Sequence, residues 1–136
     1  MQNPPPVQTT KSSTGLDENI AALLAYIFGW VGGLIFFLIE KDSRLVRFHA
    51  MQSILLNVLF GVLAVVLWIV LMIMWVILAQ VSDALAAVFG LITGLLWLAF
   101  CVAALIAVIM CLVKAFQGQY FKLPIIGNFA EKFSTK

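Results

Sequence analysis

Three observations predict an all-α integral membrane protein. Hydrophobic residues make up 64% of the 136-residue chain and charged residues only 10%, far from the balance of a soluble domain. Three runs carry no charge at all: Ile20 to Ile39, Phe48 to Ser82, and Ala84 to Val113. A bilayer core of about 30 Å takes about 20 helical residues, so each run is long enough to cross. None shows the two-residue alternation of a membrane barrel. In lipid a helix is then the structure that satisfies the backbone. Three transmembrane helices are expected in one domain over 15–116, with spans at 20–40, 52–79 and 84–115. A fourth inside the last run would need about 40 residues for two spans and a turn.

The elements follow in order. Residues 1–14, "MQNPPPVQTTKSST", have almost nothing to bury and predict a disordered tail. Thr14 with Asp17 three residues later resembles a capping box, which starts the first helix near Gly15. The first run is not expected to be a cleavable signal. It follows the acidic Asp17 and Glu18 rather than a basic region, and it is too long. Asp42 or Ser43 can cap a second helix from about Arg44 to Ala79. That helix outruns the membrane core, so its first turns belong at the headgroups or it tilts. "QVSDA" is a short turn, capped by Ser82 or Asp83, that makes the second and third helices an antiparallel hairpin. The third helix ends near Phe116, with Gly118 as its stop. In the cytoplasmic segment 117–136, Ile125, Ile126, Phe129 and Phe133 recur at helical spacing opposite Asn128, Glu131 and Lys132. This predicts a short amphipathic helix in the membrane interface.

Small residues recur every four positions. They are Ala21, Ala25, Gly29 and Gly33 in the first helix, then Gly90 and Gly94, and then Ala99, Ala103, Ala107, Cys111 and Ala115 in the third. Such stripes let helix backbones approach closely. They fit packing among the three helices, and equally a seam between two copies. Cys101 and Cys111 lie about 15 Å apart on one helix, too far for a disulfide, and read as small packing residues.

Three spans would place Lys41, Arg44, Arg47, Lys114, Lys122, Lys132 and Lys136 on one side, seven of the eight basic residues. Positive residues stay cytoplasmic. The expectation is therefore an inner (plasma) membrane protein with its N-terminus outside and its C-terminus inside. Lys41, Arg44, Arg47, Lys122 and Lys132 would face lipid headgroups.

The most polar segment is "EKDSRLVRFHAMQS", residues 40–53, with five of the fourteen charged residues and the single histidine. At 100° per residue, His49, Gln52, Ser53 and Asn57 fall on one face of the second helix, and Arg44 and Arg47 on the other. The stripe can be a packing clasp, with His49 satisfied by Glu40 or a carbonyl. It can also be a cytoplasmic cleft for a partner segment or small polar ligand.

"LLAYIFGWVGGLIFFLIEKDSRLVRFHAMQS" and "KAFQGQYFKLPIIGNFAEK" resemble the small bacterial and archaeal membrane proteins grouped with magnetosome proteins MamF and MmsF. The resemblance covers about residues 16–133. That group is distantly similar to the Tic channel component of the chloroplast inner-envelope import machinery, which implies a channel or protein-translocation role as one expectation.

No phosphate loop, HExxH or metal-spaced Cys/His cluster occurs in the sequence. An enzyme, a cofactor and a nucleic-acid partner are not expected. The expected partners are the lipid bilayer and either further copies of the chain or another membrane protein. Two function classes remain: a structural or assembly component, and an oligomeric channel.

Overall fold

The computed structural model describes residues 10–135, and among them every regular element is a helix. In chain order these are α1 (Glu18–Ile27), α2 (Gly29–Ile39), α3 (Arg44–Val81), α4 (Asp83–Phe116) and α5 (Ile126–Ser134). The chain divides into two compact units, one of Met1–Asn57 with Met110–Lys136, the other of Val58–Ile109.

The expected continuous helix over 20–40 is broken. Phe28 closes α1, and Gly29 sits at φ 61, a left-handed conformation open to glycine. The chain then turns sharply. A Cβ on Gly32 would lie 3.0 Å from the carbonyl oxygen of Leu24, whereas residues eight apart in a straight helix are separated by about 12 Å. The small-residue stripe is correspondingly redistributed. Ala21 and Ala25 pack with Phe36, Val46 and Ala50, while Ala22 and Tyr26 pack with Cys111 and Ala115. Gly33 lets α2 lie against α3, because a Cβ there would stand 2.8 Å from the Ala50 carbonyl oxygen. Gly29 serves the break itself rather than a straight packing face.

The beginning of the chain also differs from the expectation. Residues 1–9 of the expected tail lie outside the described residues. Residues from Lys11 onward fold into a turn, with a bridge between Lys11 and Asp17 and an N–H of Gly15 donating to Ser12. Thr14 bonds Ser12 rather than forming a capping box, and α1 starts at Glu18, later than expected.

Ser43 caps α3, its hydroxyl accepting from Val46 N–H. Ser82 alone separates α3 from α4. Gly118, at φ 68, stops α4, and the N–H of Gln119 donates to Lys114. Among the described residues two helices, α3 with 38 residues and α4 with 34, are long and apolar enough to cross a membrane. The first expected span is instead divided between α1 and α2, of 10 and 11 residues, each too short to cross alone.

In the unit Val58–Ile109 the two helices run antiparallel. Phe60 meets Phe100 edge-on at 5.4 Å, and Trp97 meets Phe100 at 5.6 Å. Leu91, Leu95 and Leu98 stand more than half exposed, as suits helices bathed in lipid. Gly94, Ala99 and Ala103 are exposed as well, while Gly90 and Ala107 are half-buried.

The close approach at Gly33 predicts that Gly33→Leu destabilises the fold by about 1–3 kcal/mol through overpacking. Gly94→Leu, in open space, should leave the melting temperature in detergent unchanged. Equal melting of Gly33→Leu and the wild type would remove the claim.

Candidate functional site, a buried polar clasp

The polar stripe of α3 enters the first unit at the point where the chain leaves α4. Residues 117–125 are not helical, so their peptide groups need partners from elsewhere. Side chains of α3 supply them. Gln52 donates to the carbonyl of Phe121 at 2.9 Å and accepts from the N–H of Leu123 at 3.4 Å. His49 Nε2 lies 2.8 Å from the carbonyl oxygen of Gln119. A carbonyl can only accept, so Nε2 carries the proton. Nδ1 then accepts from the hydroxyl of Tyr26 at 3.0 Å, and that oxygen accepts from Gln52 at 3.1 Å. The same Gln52 amide reaches Cys111 Sγ at 3.5 Å. His49, Gln52 and Ser53 are fully buried, and Phe48 and Tyr26 pack their ring edges on the imidazole.

The structure thus joins two of the stripe residues, His49 and Gln52, and it adds Tyr26, Cys111, Gln119, Phe121 and Leu123. Ser53 donates to the carbonyl of Gly29 at the helix break. Asn57 is exposed and, among the described residues, bonds only back to Ser53 of its own helix, at 2.8 Å. The arrangement holds a neutral imidazole between a hydroxyl and a carbonyl.

Glu40 does not meet His49. It is buried at the end of α2, where its carboxylate accepts from the N–H groups of Ser13, Asp42 and Ser43 and from the Ser13 hydroxyl. Burial opposes its charge, but the N–H groups of Ser43 and Ser13, the Ser13 hydroxyl and the N–H of Asp42 together hold the carboxyl below its ordinary pKa. The contact ties the turn before α1 to the turn after α2.

The basic residues expected at headgroups divide into three groups. Arg47 points inward, donating to the carbonyls of Glu40 at 2.8 Å, Phe37 at 3.3 Å and Ser134 at 3.4 Å, with its guanidinium over the Phe37 ring. Lys122 pairs with Glu131, and its ammonium holds that carboxyl below the usual range. Lys41, Arg44 and Lys132 are exposed, with Arg44 only 3.9 Å from Glu131. In α5, Ile126, Gly127, Ala130 and Ser134 are buried and Phe129 and Phe133 stand outward.

The clasp predicts unequal costs along the stripe. Gln52→Leu strands the Phe121 carbonyl and the Leu123 N–H, at about 1–3 kcal/mol for each buried group left unpaired. Asn57→Leu should cost less than about 0.5 kcal/mol, as an exposed change does. Thermal unfolding in detergent checks the order, and a larger loss at Asn57 would overturn it.

Comparison with known proteins identifies the lineage. The chain is 41% identical over 126 residues to the UPF0132 membrane protein MJ1443 of Methanocaldococcus jannaschii, covering 91% of this chain and 94% of that one. It is 32% identical over 117 residues to a UPF0132 membrane protein of Archaeoglobus fulgidus, covering 86% and 95%. A second M. jannaschii relative, UPF0132 membrane protein MJ1527, is 30% identical over 119 residues, covering 88% and 71%. No solved structure matches. Residues 16–130 match the MamF/MmsF family, described as the magnetosome magnetite crystal formation protein family. With its relatives named as membrane proteins and its own two long apolar helices, the chain is a membrane protein that belongs to the MamF/MmsF family.

Proposed function

We propose that the chain is a non-enzymatic plasma-membrane protein of two spans, a structural or assembly component that packs with copies of itself or with another membrane protein. One observation chiefly supports this reading. The side chains of His49, Gln52 and Ser53 are buried and bonded inside their own unit. An aqueous pathway needs polar groups facing it, and an oligomeric channel would need this stripe turned outward. The small residues Gly94, Ala99 and Ala103, by contrast, are exposed on α4. In lipid such a face associates through close backbone packing.

The Glu40 contact supports a topology. Ser13 and Glu40 are within hydrogen-bond distance, so the turns before α1 and after α2 share one side of the bilayer. Helices of 10 and 11 residues reach about 15 Å, half a bilayer core. The pair α1–α2 enters and returns, while α3 and α4 cross. All eight Lys and Arg residues precede position 48 or follow position 113. The positive-inside rule then favours a cytoplasmic side for both Lys11 and α5, as against the expected external N-terminus.

In intact cells, an impermeant thiol reagent should label Ser82→Cys and spare Lys11→Cys and Lys132→Cys until the membrane is opened. Labelling of Lys11→Cys in intact cells would restore three spans.

For the assembly role, a bifunctional thiol reagent on Gly94→Cys, in a chain whose exposed Cys101 is replaced by Ala, should give one discrete crosslinked species in native membranes. Monomer alone would remove the self-assembly reading, and discrete conductance of the purified protein in planar bilayers would favour the channel.

A further inference from the structure

A polar cleft of about 480 Å³ in the first unit is lined by Lys41, Asp42, Arg44, Arg47, Ser134 and Thr135. It lies where the α2–α3 turn and the first turn of α3 meet the end of α5. Three cations line it against one carboxylate, Asp42, whose Oδ2 lies 2.8 Å from the Ser13 hydroxyl oxygen. Lys41 has no ion pair or side-chain hydrogen bond among the described residues, and the one ion pair of Arg44, to Glu131, is 3.9 Å long and more than half exposed on the arginine side. Arg47 is fixed by its bonds to the carbonyls of Glu40 and Ser134. That anchors one guanidinium and leaves two exposed cations, Lys41 and Arg44, beside it.

The same α5 presents an apolar face next to this charge. Gly127 sits where a Cβ would lie 2.6 Å from the backbone of Lys122, and Ala130 is fully buried, so one side of the helix is clamped to the unit. The other side turns out Phe129, 51% exposed, and Phe133, 44% exposed. Ile125 is held at φ 67, a conformation that disfavours branched side chains, and it stands 73% exposed. A strained, outward isoleucine in line with two outward phenylalanines is an apolar ridge, and the cationic cleft opens at the far end of the same helix.

We infer that the cleft binds the phosphate headgroup of an anionic phospholipid, with the α5 ridge resting in the adjoining interface. Guanidinium and ammonium groups suit phosphate oxygens, and an apolar face beside basic residues is how an interfacial helix meets anionic lipid. The inference deepens the reading of a membrane protein whose basic residues face the cytoplasmic leaflet.

The test is native mass spectrometry of the full chain in detergent, titrated with phosphatidylglycerol or phosphatidylcholine. Micelles have no inside, so a reversed topology leaves this result untouched. The wild type should retain phosphatidylglycerol in preference to phosphatidylcholine. Lys41→Gln with Arg44→Gln should weaken that retention by roughly 25-fold, about five-fold for each cation removed. Lys132→Gln, outside the cleft, should change it less than about two-fold, as should Glu131→Gln, which breaks the Arg44 pair but keeps the cation. Wild-type retention by the double variant, equal loss with Lys132→Gln, or full displacement of the lipid by millimolar inorganic phosphate would each overturn the proposal.

Discussion

The folded unit depends on how the non-helical segment after α4 finds partners for its peptide groups. Away from water, each unpaired carbonyl or N–H carries a cost comparable to a lost hydrogen bond. His49 and Gln52 take the carbonyls of Gln119 and Phe121 and the N–H of Leu123. The two side chains do for the open segment what a neighbouring strand would do. They also fix everything around it. Tyr26 bridges them from α1, and Cys111 meets Gln52 from α4. One amide and one imidazole thus draw together α1, α3, α4 and the approach to α5.

A second constraint acts at the other edge of the same unit. Glycine at the α1–α2 break permits a turn that returns the chain toward its start, and Glu40 closes it. A buried carboxylate is stable there because four donors surround it from Ser13, Asp42 and Ser43. Arg47 secures the other side of the same turn by binding the free carbonyls at the end of α2. The segment that the sequence marks as most polar is therefore largely internal. Its charged groups hold turns, and only Lys41, Arg44 and Asp42 remain at the surface.

The charge-free runs determined the membrane class, because length and apolarity alone decide whether a helix can cross lipid. The ends of the two long helices were equally legible. Ser43, Ser82 and Gly118 act locally, and α3 and α4 begin and end beside them. The grouping of His49, Gln52 and Ser53 followed from helical period. Their partners did not, since Gln119 and Phe121 lie some 70 residues away and main-chain groups leave no mark on residue identity.

The glycines of the first run show where local signals stop. Gly29 and Gly33 at a four-residue spacing fit a straight packing face, and they fit a broken helix as well. Only tertiary structure chose between them. The close seat of Gly33 on Ala50, the Ser53 bond to the Gly29 carbonyl and the Ser13–Glu40 contact all require the chain to turn back. By itself the sequence determined that the chain is helical and belongs in lipid. The folded structure decided that α1–α2 is a broken pair and the polar stripe a clasp, because both rest on contacts between residues far apart in the chain.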